Sequence, residues 1–341
     1  MKSSRLVWSL ASVLLLAGLA YVAQKTLSSG VDMTTAAERF LASLDDAQKK
    51  KASFGFDDPE RTNWHFIPMQ DKMRRPTRKG LGLFEMNPKQ REAALALVRA
   101  GTSMSGYKQA TTIMSLEAIL RELEKNGRSV RDPEWYFFSV FGTPSKTGKW
   151  GWRVEGHHLS LNFVIDNGKV KASTPAFFGA NPAIVKTGPK KGQRTLEREE
   201  VLAKKLFRSL DEKQRALAYR KKNFPEIEQG KPKPNVGKPE GVPASLMNDE
   251  QKATLLELLE TYTNRMPADV AAQEMAELKK AGVDRIHFAY AGGIDDGKPY
   301  TYRIQGPTFI VEFLNTQPDS LGNPANHIHS VWRKPAGDFG L

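Results

Sequence analysis

The feature that most constrains this chain is that it resembles itself. "SLDDAQKKKA" (43–52) is echoed by "SLDEKQRALA" (209–218), and "FEMNPKQREAALALV" (84–98) by "SLMNDEQKATLLELL" (245–259). "YFFSVFG" (136–142) matches "IHFAYAGG" (286–293) in its aromatic alternation, and "WRVEGHHLSLNF" (152–163) matches "YRIQGPTFIVEF" (302–313). "TPAFFG" (174–179) has a fainter partner in "KPAGDFG" (334–340). The matches keep one order, which is harder to reach by chance than any single match, and they imply two repeat halves offset by roughly 160 residues.

Each half reads as helices followed by a small antiparallel sheet, an α+β class. Asp45 with Gln48, and Asp211 with Gln214, have capping-box spacing; Asn87 and Asn248 precede amphipathic runs. A further helix is expected over Gly106–Asn126 and over Ala268–Ala281. Aromatic strands then alternate with Gly/Pro/Lys turns such as "GTPSKTGK" (142–149) and "GGIDDGKP" (292–299). The expected division is a first half over residues 36–190 and a second over 200–341, packed as one unit. Each half carries a long connection between its early helices. The second, "EQGKPKPNVGKPEGVP" (228–243), reads as a spacer. The first (54–80) contains Trp64, His65 and Phe66, which a spacer does not need and which suggest a loop folded onto the body, even lidding a site.

Ahead of the halves, residues 1–30 form a signal peptide or membrane anchor: Lys2 and Arg5 precede an apolar run from Leu6 to Ala23. Gly18-Leu19-Ala20 offers small residues for cleavage. Uncleaved, the run forms an N-terminal hydrophobic helix of nearly bilayer length, contacting membrane through residues 6–23. Both outcomes place the remainder outside the cytoplasm, periplasmic or extracellular. The formal charge of +13 is scattered over "MRRPTRKG" (73–80), "KTGPKKGQR" (186–194) and "YRKKNF" (219–224). Nucleic-acid binders concentrate such charge on one face, so no nucleic-acid partner is expected. With no cysteine, disulfides, thiolate metal sites and cysteine nucleophiles are excluded. No P-loop, dinucleotide fingerprint or Gly-x-Ser-x-Gly elbow occurs.

"NWHFIP" (63–68), "YFFSVFGTP" (136–144), "WGWRVEGHHLSLNF" (150–163), "TPAFFGANPA" (174–183) and "NHIHSVWRKPAGDFG" (326–340) together resemble the signatures of an exported bacterial family, domain of unknown function 3500. The resemblance runs from about Ala36 to the C-terminus. It implies that the paired histidines and the His-x-His belong to the family's signature, and it implies no activity.

The chain has six histidines, four of them in two tight groups: His157-His158, and His327 with His329. Read as one strand, 152–165 sends Leu159, Leu161, Phe163 and Ile165 to the core. His158 then shares the opposite face with Asn162, and His157 lies with Arg153 and Glu155. His327 and His329, two apart on a strand, project in parallel about 7 Å apart at Cα, a familiar arrangement for a divalent metal. The second half has Gly306-Pro307-Thr308 where the first has Gly-His-His, and the first half has no His-x-His. One composite site between the halves is the economical reading. A metal would take His327, His329 and one of His157 and His158, with Glu155 or Asp338 as further candidates; zinc, copper and iron all suit such a set. A metal-free polar pocket and separate structural histidines stay open. A shared metal requires His157 or His158 within about 5 Å of the other pair. His157, His158 and Glu155 are the candidate catalytic groups. Trp64, His65, Arg78, Arg153, Asn162 and Arg333 are candidate contacts for a small-molecule ligand. These features fit metal-assisted hydrolysis of an extracytoplasmic small molecule, or a non-catalytic binding module at the cell envelope. The oligomeric state is left open.

Overall fold

A computed structural model describes residues 28–341, Asn126 excepted. The apolar run over residues 6–23 lies outside the described residues. Among those described, no helix is long and apolar enough to cross a membrane.

The chain opens with α1 (Ser29–Ala42), α2 (Asp46–Ala52) and the short β1 (Ser53–Phe54). After a long loop come β2 (Leu81–Gly82), α3 (Pro88–Gly101) and α4 (Met104–Leu123). Five strands follow: β3 (Phe137–Phe141), β4 (Lys149–Gly156), β5 (Leu159–Asp166), β6 (Lys169–Ala172) and β7 (Ala176–Ala180). A second series begins with α5 (Glu197–Ser209), α6 (Glu212–Ala218) and β8 (Tyr219–Arg220). A second loop leads to β9 (Val242–Pro243), α7 (Asp249–Thr263) and α8 (Ala268–Ala281). The chain ends with β10 (His287–Gly292), β11 (Tyr300–Gln305), β12 (Ile310–Gln317) and β13 (His327–Arg333).

The helix starts are written in the sequence. Asp45 and Gln48 form a capping box on α2, Asp211 and Gln214 on α6, Asn87 and Gln90 on α3, and Asn248 and Gln251 on α7. The capping glutamines then meet across helices. Gln90 Nε2 donates to Gln48 at 2.7 Å and to Ser43 O at 2.9 Å; Gln251 Nε2 donates to Gln214 at 2.9 Å and to Ser209 O at 2.7 Å. The α4 helix spans Met104–Leu123, starting two residues before the expected Gly106 because Ser103 caps it. The α8 helix has the expected bounds.

The strands build one mixed sheet in the order β1-β3-β4-β5-β7-β13-β12-β11-β10-β8, not two separate small ones. The β7–β13 pairing, with Ile328 opposite Ala180 and Val331 opposite Phe177, closes what would otherwise be two unpaired edges. Among the described strands, only β1 on β3 and β8 on β10 run parallel. Alternation sends Trp152, Val154, Leu161, Phe163, Phe178, Tyr302, Phe313 and Trp332 to one face, where the helices complete a single large core. The opposite face is polar and yet buried: Arg153, Glu155, Ser160, Asn162, Arg303, Glu312 and Arg333 lie there. The two long loops cover it with a smaller apolar cluster of Trp64, Phe66, Phe177, Ile227, Leu314, Val331 and Phe339.

Candidate metal centre

His157 and His158 do not lie within a strand, as the sequence pattern suggested. Gly156 pairs with Leu159, so the two histidines are the two-residue turn joining β4 and β5. His158 takes φ 63°, a left-handed conformation uncommon for side-chain-bearing residues but one that histidine adopts more readily than most. Its N–H donates to Phe66 O at 2.8 Å and its carbonyl accepts Gly179 N–H at 2.8 Å, pinning the turn between the first loop and β7. Because strand alternation stops at a turn, the two rings do not diverge; they stack with centroids 3.7 Å apart. Gly179 makes room for this arrangement. A Cβ there would sit 2.7 Å from Ile328 O and 3.0 Å from His158 Cδ2.

From the start of β13, His327 and His329 project to the same face as Val331. His158 Nε2 lies 2.8 Å from His327 Nε2 and 3.2 Å from His329 Nε2. The three ring nitrogens lie within 4.8 Å of one another. Three imidazoles around one ion at a usual metal–nitrogen distance of about 2.0–2.1 Å would place their nitrogens roughly 3.0–3.4 Å apart, so this set is close to ligating geometry.

The far sides of the rings favour the tautomer that a metal needs. His329 Nδ1 faces Glu226 Oε1 at 2.8 Å, so a proton on Nδ1 is bonded and the Nε2 lone pair is left for the centre. His327 Nδ1 lies 3.4 Å from the Asn181 amide nitrogen, while the buried Asn181 Oδ1 has no partner. Turning that amide over would let Oδ1 accept an Nδ1–H of His327 and satisfy both groups at once. Burial, reinforced by His157, His327 and His329, holds His158 well below the ordinary histidine value; burial and the neighbouring His329 bring His327 down to about 2. Both rings are therefore neutral at neutral pH, the form that can ligate a metal. Burial pushes the Glu226 carboxyl up, but the hydrogen bonds it accepts from His329, the Ile227 N–H and Gln317 outweigh it, leaving a carboxylate below its usual range.

A second grouping adjoins the first. His157 Nδ1 lies 2.5 Å from Glu117 Oε1 on α4, and Arg131 Nη1 sits 3.1 Å from the same nitrogen. Tyr136 Oη donates to His157 O at 2.8 Å. Burial lowers the His157 pKa against the opposing pull of Glu117. Neither Glu117, Glu226 nor Asn181 carries a sequence signal: each is an ordinary polar residue on an element whose approach to the histidines only the fold creates.

Several expected site residues lie elsewhere. Glu155 does not reach the histidines; Oε1 takes Arg78 Nε at 3.2 Å, and Oε2 takes His65 N–H at 2.9 Å and Arg153 Nε at 3.3 Å. Asp338 is not beside His327 and His329 but bonds Arg333 Nε at 2.7 Å, both side chains being fully buried. The reason is common to both: a guanidinium beneath a loop needs a carboxylate partner, and each takes the nearest one. Arg78 further donates to His65 O and Ile67 O, and Arg153 to Glu60 O, so both hold the first loop down. Arg333 donates to Glu228 O and Lys231 O of the second loop, which is thus not a free spacer. Asn162 donates to Pro175 O at 2.9 Å. His65 points away toward Gln229 and Asn63, whereas Trp64 is buried and donates to Lys231 O. Of the first loop's aromatic residues it is Phe66 that meets the histidines, edge-on to His329 at 5.1 Å. His287 lies apart on β10.

The family described as "Protein of unknown function (DUF3500)" matches residues 28–341. No curated protein and no solved structure matches the chain.

Proposed function

The chain belongs to the DUF3500 family, whose description names no activity, and from its own residues we propose a metal-dependent protein that acts on a small molecule outside the cytoplasm. The convergence of three imidazole Nε2 atoms, two of them backed by polar groups on Nδ1, carries this reading. His158, His327 and His329 hold the ion, and zinc, copper or iron suits three neutral nitrogens. Such an ion lowers the pKa of a coordinated water toward neutrality and polarises a carbonyl or phosphoryl oxygen. His157 is the group placed to hold or pass a proton, since its ring stacks on His158 and its Nδ1 meets Glu117. Glu155, fully engaged by Arg78 and Arg153, keeps the first loop in place.

In this reading the halves 36–190 and 200–341 are copies, supported by the matched capping boxes and crossed glutamine pairs. Residues 1–30 export the chain or anchor it, supported by Lys2 and Arg5 before the apolar run. Metal-loaded protein should hydrolyse members of a panel of carboxyl esters, amides and phosphomonoesters, and lose that turnover in His158→Ala. A metal-loaded protein that binds small molecules without turning any over would favour a second reading, a ligand-binding module at the envelope. The burial of His158 and His329 beneath Phe66 favours that second reading.

A further inference from the structure

The basic stretch "MRRPTRKG" (73–80) takes no part in the histidine centre, and most of its charge is exposed. Its first residues form a fixed turn. Gln70 bridges Pro76, and Asp71 Oδ1 accepts the N–H groups of Met73 at 2.8 Å and Arg75 at 2.9 Å. Arg74 completes the turn in the left-handed region, at φ 62°. The turn holds Met73 out at 71% exposure, with Lys72, Arg74 and Arg75 exposed around it. A thioether so placed adds nothing to a core; it is an apolar tip carried on positive charge.

A cleft of about 460 Å³ adjoins this turn at Pro76. Lys50, Lys51, Arg78 and Lys79 line it with Phe54 and Phe84, and Phe84 is 40% exposed. Among the described residues Glu85 is the one carboxylate in its wall, and it is paired with Lys51. Asp71 is likewise paired, with Arg75 at 2.8 Å. Arg78 is buried against Glu155, which leaves Lys50, Lys51 and Lys79 as the exposed cations of the cleft.

The fold does not need those three cations. The α2 and α6 helices open on the same capping box, and β9 lies on β10 as β2 lies on β3. Counted from these fixed points, Lys50, Lys51 and Lys79 correspond to Ala216, Leu217 and Glu240. The same local backbone thus forms with no cation at any of the three positions. Exposed cations around exposed Met and Phe side chains suit an anionic bilayer: the cations meet phosphates and the apolar tips enter the acyl boundary. We infer that the face carrying Lys50, Lys51, Met73, Lys79 and Phe84 docks on a membrane of anionic phospholipid. The inference depends neither on the reading of the histidine centre nor on the fate of residues 6–23.

The test exploits the absence of cysteine. Met73→Cys in the full chain takes one environment-sensitive fluorophore; Leu217→Cys, exposed at the corresponding second-half position, is the control. Each is mixed with vesicles of phosphatidylcholine alone or with added phosphatidylglycerol. A blue shift of the label at position 73 is expected with the anionic vesicles and far less with the neutral ones. The label at position 217 should respond to neither. Adding Lys50→Gln/Lys51→Gln/Lys79→Gln should shrink the preference for anionic vesicles about fivefold per cation removed. If that variant fails to fold, Lys72→Gln/Arg74→Gln decides in its place. No shift at position 73 with anionic vesicles, an equal shift with neutral vesicles, or an equal shift at position 217 overturns the inference. A shift produced by inorganic phosphate and not by vesicles would assign the cleft to a free anion and overturn it too.

Discussion

His158 Nε2 lies 2.8 Å from His327 Nε2 across 169 positions of the chain. The contact depends on three pieces of backbone: the turn between β4 and β5, the first residues of β13, and β7 between them. Each can be perturbed without touching a ligating nitrogen.

Gly179→Ala tests the packing beneath His158. A Cβ 2.7 Å from Ile328 O and 3.0 Å from His158 Cδ2 must displace one of them, and the backbone oxygen yields less easily than the ring. The expected result is weaker metal binding together with about 1–3 kcal/mol of destabilisation, as overpacking generally costs. Competition with a chelator and urea unfolding measure the two effects.

Glu226→Gln and Asn181→Ala test the outer partners of the imidazoles. Both leave the three ligating nitrogens in place but loosen ring orientation or tautomer. Metal affinity should fall about 10–100-fold in each, with little change in the folded content seen by circular dichroism. Unchanged affinity in both would mean that Nδ1 bonding has no part in the site.

Trp64→Ala tests the cover over the polar sheet face. Trp64 is fully buried, packs at 5.9 Å from Phe66 and lies under the Arg333 guanidinium. Its truncation should cost about 3–5 kcal/mol and expose the loop between Phe54 and Gly80 to limited proteolysis. A loop as resistant as the wild type would show that Arg78 and Arg153 hold it unaided.

The pH dependence of the metal-free protein follows from the lowered histidines. His157, His158 and His327 all sit below the ordinary value of 6.5 when folded, chiefly through burial. The unfolded chain therefore binds more protons than the folded one once the pH drops below that value. Their contribution is complete above 6.5 and is lost as the pH falls toward the folded values. With chelator present, the urea midpoint should be lower at pH 5.5 than at pH 7.5. His158→Asn/His327→Asn should flatten this dependence, which lies above the carboxylate range.

Much of this architecture was legible in the residues. The capping-box spacings at Asp45 and Asp211 depend on contacts three residues apart, and the structure reproduces both; the helices expected after Asn87 and Asn248 also form, each with a capping box of its own. The core face of Leu159, Leu161, Phe163 and Ile165 follows from alternation alone. Comparing the chain's two similar stretches groups the His157-His158 pair with His327 and His329, and the structure selects His158 as the member that meets them. What stayed hidden depended on three-dimensional approach. A two-residue turn of histidines has no turn signature such as Asn-Gly, so 152–165 read as one strand. Glu155 and Asp338 looked like ligands because their arginine partners are visible only once the loops are folded. Glu117, Glu226 and Asn181 come to the site from α4, the second loop and the end of β7, with no pattern to mark them.

The most direct measurement is the metal content of untagged protein, by elemental analysis, beside the His327→Ala/His329→Ala variant. The account predicts close to one zinc, copper or iron per chain in the wild type and almost none in the variant, with the variant still folded. Wild-type protein that stays metal-free after equilibration with each of these ions would contradict it.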